Sequence, residues 1–375
     1  MQILVLGAGL VGAPMARDLA AGGECTLTVV DRDRRALDRL AATAAGIATA
    51  QADLADPATV TELCGGQDLV LSAVPGFLGY QTLRAVIASG TDVVDIAFFA
   101  EDPFTLDALA RERDVTAIVD CGVFPGLGSA LVMHAVGQLD RTDSVLVHVG
   151  GLPQRRDWPW EYRAVFSPSD VIEEYLRPAR YVEGGEVVTR PALSDPELIE
   201  FPGVGILEAF NTDGLRTLIR TIAAPEMKEK TLRYPGHIEK VRLLRECGFF
   251  GEEPVEVAGQ QVRPRDLAER LLFPMWKLEE GEGDLTVLRI EVCGERAGRP
   301  ARRGWELLDR FDATAGVTSM ARTTGYTATM ALRLLARGLY TRKGISPPEY
   351  LGREARHLDF LLTGLRERGV VYRER

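Results

Sequence analysis

Residues 7–12 read Gly7-Ala8-Gly9-Leu10-Val11-Gly12. They stand between a β-branched apolar run, Ile3–Leu6, and a segment of helical spacing, Ala13–Ala21. No other feature narrows the possible folds as much. A glycine-rich hexamer alone is a weak signal, but a strand before it and a helix after it give it physical meaning. Gly7 permits the tight turn, Gly9 lets the backbone approach a pyrophosphate, and Gly12 lets the helix pack closely on the strand. The helix N-terminus then faces the phosphates. Gly7, Gly9, Leu10, Val11 and Gly12 are therefore assigned to a dinucleotide, the alternative being a degenerate domain of the same shape that binds none.

Asp31 closes the second strand, 19 residues after Gly12. A carboxylate there accepts from ribose hydroxyls and repels a 2′-phosphate, which favours NAD. Arg32 and Arg34 follow at once and soften that exclusion, so NADP stays possible. Asp53, after the third strand, lies near the adenine or caps a helix. Ala73, Val74 and Pro75 follow Ser72 at the end of the fourth strand, where ligands of open α/β sheets collect, and their small size allows close approach.

The rhythm of the first third supports this placement. Apolar runs at Thr26–Val30, Leu69–Val74, Val93–Ile96 and Val115–Val119 alternate with helical segments such as Arg34–Ala44 and Thr82–Ser89. The fold class expected is α/β: a Rossmann-type doubly wound parallel sheet with helices on both faces. After about Leu139 the pattern becomes mixed α+β. Ser144–Val149 reads as a strand opening onto Gly150 and Gly151. Gly236–Cys247 reads as a helix, and Leu285–Cys293 and Trp305–Phe311 as a hairpin flanking a Gly/Arg/Pro turn, Gly294–Gly304. Ala321–Ala336 and Arg353–Arg368 return to helical spacing.

Composition removes other classes. Lys and Arg number 44 against 54 Asp and Glu, a net charge of −10, so neither nucleic acid nor an anionic membrane is expected as a partner. No apolar stretch approaches the ~18 residues of a membrane span. The chain enters its first strand without a leader-like segment, which reads as cytoplasmic. Five scattered cysteines and four histidines form no CxxC or HExxH pattern, so neither a disulfide framework nor a metal is expected.

Six strings in the remainder resemble the saccharopine dehydrogenase family, and its lysine 6-dehydrogenase branch in particular. They are Asp120-Cys121-Gly122-Val123-Phe124-Pro125-Gly126-Leu127, Val149-Gly150-Gly151-Leu152-Pro153-Gln154, Tyr175-Leu176-Arg177-Pro178-Ala179-Arg180, Ala209-Phe210-Asn211-Thr212-Asp213-Gly214-Leu215, Leu232-Arg233-Tyr234-Pro235-Gly236-His237 and Met320-Ala321-Arg322-Thr323-Thr324-Gly325-Tyr326. The resemblance implies a nucleotide domain over 1–122, an inserted α+β substrate and oligomerisation domain over 123–315, and a returning segment over 316–375. It implies NAD-dependent oxidation of the ε-amino carbon of L-lysine or a close analogue, giving the semialdehyde or piperideine-6-carboxylate and ammonia. The alternative is a saccharopine-type NAD(P)-dependent imine reductase joining an amine and a carbonyl; a non-catalytic NAD(P) sensor is the third reading. Saccharopine-forming members place acidic residues just before and soon after the Pro-Gly, where this chain has Phe124 and Gly128. That departure favours the simple amine and makes Phe124 a substrate-pocket residue.

The chemistry needs an acid/base group, a partner for the amine and a clamp for a carboxylate. His237, after a Tyr-Pro-Gly turn and three residues before Lys240, is the leading acid/base candidate; otherwise it is a structural helix-start residue. Asp95 ends the fifth strand and either faces the nicotinamide or serves as a hydrogen-bonded strand-end acid, and Asp120, ending the next strand, is placed to pair with the amine. Cys121 reads as a small buried side chain. Asp213 orients the ammonium or caps its turn. Arg177, Arg180, and Arg322 with Thr324 are the clamp candidates, or else form ion pairs between domains. Trp158 and Trp160 read as packing residues. The hairpin near Leu285–Phe311 offers an edge for a homodimer or higher oligomer.

Overall fold

The computed structural model describes residues 1–23, 25–279 and 281–375. It divides into two units, Met1–Asp140 with Met320–Tyr372, and Arg141–Ser319 with Arg373–Arg375.

Among the described residues, the first unit holds a seven-stranded sheet whose paired strands all run parallel. Its strands in chain order are β1 (Gln2–Leu6), β2 (Thr26–Asp31), β3 (Ile47–Gln51), β4 (Leu69–Ser72), β5 (Asp92–Asp95) and β6 (Thr116–Ile118). A seventh strand, Gly344–Ser346, comes from the C-terminal segment. The spatial order is Gly344–Ser346, β6, β5, β4, β1, β2, β3, so the order reverses between β1 and β4. A doubly wound sheet opens its ligand crevice at such a reversal, outside the carboxyl ends of the strands. The strand cores are continuously apolar and buried, as a sheet covered on both faces requires.

The C-terminal segment is tied to this sheet by charge and by close packing. Asp18, on helix Gly12–Ala21, accepts from Arg333 Nη1, Thr329 Oγ1 and Arg368 Nε, each at 2.6 Å. Gly325, on helix Ser319–Ala336, leaves no room for a side chain, since a Cβ there would lie 2.8 Å from Met15 Cγ.

Among the described residues, the second unit is built around a nine-stranded mixed sheet. Neighbouring residues of strand Gly205–Asn211 divide between its faces, as the period of two dictates. Phe210 joins a core with Val171, Ile172 and Tyr175 of helix Pro168–Leu176, Ile238 and Val241 of helix His237–Glu246, and Trp276. Ala209 joins Leu152, Leu232, Leu285 and Val287 in a separate cluster.

Three expected boundaries shift. The strand expected at Ser144–Val149 runs from Arg141 to Pro153 and passes through both glycines, because Gly150 faces the Leu232 carbonyl oxygen, 2.6 Å from where a Cβ would sit. The Gly294–Gly304 segment is strand instead of loop. Its strands, Asp284–Arg296 and Arg299–Arg310, are joined by Ala297 and Gly298 alone, both left-handed with φ of 51° and 72°. The arginines that read as loop pair across the ladder, as Arg302 does with Glu291. The helix expected from Thr82 begins at Gly76, immediately after Pro75.

Candidate functional site

The nucleotide crevice is built mostly from backbone. A Cβ on Gly12 would lie 2.1 Å from the Gly7 carbonyl oxygen, and one on Gly7 (φ 102°) would lie 2.7 Å from the Ala73 carbonyl oxygen. The loops after β1 and β4 therefore touch, and only glycine fits at the contact. At Gly9 no atom lies within 4 Å of an added Cβ. This is the cradle a pyrophosphate needs: tight on the protein side and open on the other. Leu10 is exposed beside it, Val74 is buried, and Val11 precedes the first helical residue.

Asp31 serves the loop as well as the site. Its Oδ2 accepts from the Ala8 amide at 2.7 Å and its Oδ1 from the Asp33 amide at 2.8 Å. Each oxygen keeps a second lone pair, so the carboxylate fixes the turn and still has capacity for a ribose hydroxyl. Asp53 is exposed and accepts from the Ala55 amide at 3.0 Å, capping its own turn.

A second group of candidates gathers at the ends of β5 and β6. Asp95 and Asp120 are buried, and the Cys121 amide donates to the Asp95 carbonyl at 3.0 Å. Burial, then the two carboxylates, push the Cys121 thiol up, so it stays protonated and is no thiolate nucleophile. Asp120 is left-handed at φ 51°, as is its strained neighbourhood around Gly126, where a Cβ would lie 1.8 Å from the Gly122 carbonyl oxygen. Phe124 is buried here, and Thr324 packs against Gly122, its Cγ2 3.4 Å from the Cβ position. Arg322 Nη2 donates to the Arg368 carbonyl at 3.0 Å.

In the second unit His237 belongs to a buried polar chain. His237 donates from Nδ1 to the Trp160 carbonyl at 3.0 Å, an oxygen that can only accept, so Nε2 accepts from the Tyr175 hydroxyl at 2.9 Å. That hydroxyl accepts in turn from Arg233 Nε at 3.1 Å, and Arg233 Nη2 pairs with Glu174 Oε2 at 2.7 Å. Burial works against the Arg233 cation, but Glu174 and the two tyrosines outweigh it. Burial and the Arg233 charge push His237 down to about 3. Both ring nitrogens are committed within the core and burial favours the neutral imidazole, which agrees with the structural alternative for His237 better than with the acid/base one.

Glu174 Oε1 accepts from Thr231 Oγ1 at 2.7 Å, the Thr231 and Thr212 hydroxyls lie 2.8 Å apart, and Thr212 donates to Glu229 Oε2 at 2.7 Å. Glu229 also accepts from the Gly214 amide at 3.0 Å. Burial pushes its carboxyl up to about 8, and the neighbouring Glu174 and Asp213 charges add to the rise. Asp213 and Arg180 face each other in a bidentate pair, Nε–Oδ1 and Nη2–Oδ2 both 2.8 Å. The residue expected to hold an ammonium and the one expected to hold a carboxylate thus hold one another. Lys240 lies over the Trp158 ring, 5.0 Å from its centroid, and Arg177 ends helix Pro168–Leu176. Glu174, Thr231 and Glu229 had no sequence signal: Glu226–Arg233 reads Glu-Met-Lys-Glu-Lys-Thr-Leu-Arg, the composition of a solvated strand.

Comparison with known proteins assigns both units. The sequence profile of the saccharopine dehydrogenase NADP binding domain matches residues 3–118, and that of the saccharopine dehydrogenase C-terminal domain matches residues 122–370. The chain belongs to the saccharopine dehydrogenase family. Its first unit is a nicotinamide-dinucleotide-binding domain, and the family is one of NAD(P)-dependent oxidoreductases. The chain is 24% identical over 274 residues to saccharopine dehydrogenase [NADP(+), L-glutamate-forming] of Saccharomyces cerevisiae, covering 70% of this chain and 61% of that protein. It is 24% identical over 276 residues to the mitochondrial alpha-aminoadipic semialdehyde synthase of Mus musculus, covering 70% of this chain and 30% of that one. It thus spans about three-fifths of the yeast relative and under a third of the mouse relative. The solved structure of apo histidine-tagged saccharopine dehydrogenase (L-Glu forming) from Saccharomyces cerevisiae matches with a TM-score of 0.80 at 20% identity, covering 100% of this chain and 99% of that one, which establishes the shared fold. Among the described residues no helix is long and apolar enough to cross a membrane.

Proposed function

We propose that this chain is an NAD(P)-dependent oxidoreductase of the saccharopine type, reducing the imine formed between an amine and a carbonyl of amino-acid substrates, and oxidising the secondary amine in reverse. The observation that carries the reading is the match of both family domains in order, with relatives named for saccharopine chemistry. It moves the preference from oxidative deamination of L-lysine to the imine reaction.

The nicotinamide ring, when bound, supplies or accepts the hydride. Gly7, Gly9, Gly12 and Asp31 would hold the dinucleotide. In the reductive direction the imine carbon gains the hydride and the nitrogen gains a proton. The iminium nitrogen is cationic, and Asp95 and Asp120 offer two buried carboxylates at the strand ends to pair with it. Cys121, kept as a thiol, adds no charge there. Phe124 favours the second reading, lysine deamination, because an apolar ring stands where the resemblance implies an acid.

The test is absorbance at the reduced-nicotinamide band, with NAD and with NADP. Saccharopine, L-lysine and an amine-free control are run oxidatively, and an amine with an aldehyde acid reductively. Cofactor reduction by saccharopine but not by L-lysine is expected. Reduction by L-lysine alone selects deamination, and no cofactor turnover in either direction sinks both enzyme readings.

A further inference from the structure

Helix Ala355–Glu367 of the first unit lines a cavity of about 490 Å³ against helix Ser319–Ala336. That volume lies within the roughly 300–1,000 Å³ of small-molecule sites. Gly364 lets the two helices meet at its floor, since a Cβ there would lie 2.1 Å from Met330 Cε. Gly22, just past the C-terminal end of helix Gly12–Ala21, is part of the wall. The phosphate loop stands at the other end of that ten-residue helix, about 15 Å away. The nucleotide crevice opens there, at the carboxyl ends of the strands, so this cavity is separate from it.

The helix face that lines the cavity carries charges of both signs at both ends. Arg356 and Asp359 stand one turn apart at its start, Glu367 and Arg368 at its finish, and Thr363 lies between. Arg356 Nη2 pairs with Glu354 at 2.7 Å and not with Asp359, although residues three apart on a helix are neighbours. Among the described residues, Asp359 and Glu367 have no ion pair and no side-chain hydrogen bond. Arg368 is held at Nε by Asp18 Oδ1, 2.6 Å, and at Nη1 by the Gly364 carbonyl, 2.9 Å, so its guanidinium is fixed before any ligand arrives. On the facing wall Arg333 is bonded to Asp18, and Arg337 lies over the Phe360 ring, 5.3 Å from its centroid.

A simple anion entering this cavity meets two unpaired carboxylates, and a simple amine meets the arginines. A molecule carrying both signs meets its complement in each.

We propose that this cavity binds a free amino acid at a site apart from the reaction centre. The carboxylate lies on Arg356 and the ammonium on Asp359, whose Cβ atoms the helix sets about 5–6 Å apart. The side chain runs past Thr363 toward Glu367 and Arg368, which receive a cationic or an anionic end respectively. The inference stands independently of the imine-reductase reading, because binding here requires no turnover.

The experiment is calorimetric titration of the full chain at low ionic strength, where exposed charges are least screened. The probes are L-lysine and L-glutamate, with phosphate and cadaverine as ligands of a single sign. Arg356→Ala and Asp359→Asn should each weaken one class of binding site for the tighter amino acid about tenfold or more, the loss of one charge-assisted contact. Thr363→Trp fills the middle of the cavity without altering a charge and should abolish that class. Arg366→Ala, on the same helix but outside the cavity, should leave Kd within about twofold. Phosphate binding that Arg356→Ala removes and Asp359→Asn leaves intact identifies a plain anion site and overturns the amino-acid assignment. Cadaverine binding with the opposite pattern identifies a cation site and overturns it equally. The same Kd in wild type, Asp359→Asn and Thr363→Trp, or no binding of either amino acid by wild type, overturns the site.

Discussion

The two units solve the problem of holding a small molecule by opposite means. In the first, the cradle is backbone: Gly7, Gly9 and Gly12 matter for the atoms they lack, and Asp31 contributes as much to the loop as to any ligand. In the second, the candidate site is a relay of charged and hydroxyl side chains running from Trp160 through His237, Tyr175, Arg233, Glu174, Thr231 and Thr212 to Glu229. A backbone cradle tolerates change everywhere except at its contact points. A buried polar relay is fully satisfied or it is costly, because each unpaired member forfeits its desolvation energy.

That contrast is open to attack first at Arg233. Replacing it with Met leaves Glu174 without its cation and Tyr175 without a donor, and should destabilise the protein by about 3–5 kcal/mol in chemical denaturation. A loss below about 1 kcal/mol, the range of an exposed ion pair, would mean the relay is not a cooperative unit. Gly12→Val comes next. It should weaken dinucleotide binding about a hundredfold, toward the upper end of the ~1–3 kcal/mol that overpacking costs, because the obstructing atom is a backbone oxygen that cannot swing away. Fluorescence titration with NADH and NADPH measures it, and the melting temperature of the second unit should not follow.

Glu229 sharpens the comparison through pH. Its carboxyl titrates near 8 in the folded protein against 4.5 in the unfolded chain, so the folded state holds the extra proton and stability falls as pH rises between those values. His237 and His148, pushed by burial to about 3 and about 4, act in the opposite sense: the unfolded chain gains their protons below 6.5, and stability falls as pH falls. Between pH 6.5 and 8 the Glu229 effect stands alone among these three, at about 2 kcal/mol. Glu229→Gln should flatten the melting-temperature profile over that window. An unchanged slope would place the titrating group elsewhere.

The smallest effect concerns Asp31. Asp31→Ser should shift the ratio of NADP to NAD affinity by about tenfold toward NADP, through loss of a charge that repels the 2′-phosphate. No shift in the ratio would leave Asp31 as a loop-ordering residue only.

How far the sequence carried differs between the units for a physical reason. The first was legible almost in full: β1, β2, helix Gly12–Ala21 and the crevice at Gly7–Gly12 were read from apolar runs and glycine spacing, and the family from its strings. In the second unit His237, Asp213, Arg180 and Arg233 all lie in strings that drew attention, but the partners that set their chemistry are not neighbours in sequence. His237 resembles a proton carrier until Trp160 and Tyr175 take both of its nitrogens. Arg180 and Asp213 read as separate ligands until the fold brings them within 2.8 Å. Glu229, in a strand that alternates like a solvated one, carried no signal.

The sequence by itself determined what depends on near neighbours along the chain: strand and helix periods, the phosphate turn and the order of the motifs. Tertiary structure alone decided which charges are neutralised, which are buried and which titrate. Those properties depend on partners contributed by different strands and helices, as Glu174, Thr231, Thr212 and Glu229 are, and on the water excluded when those elements pack.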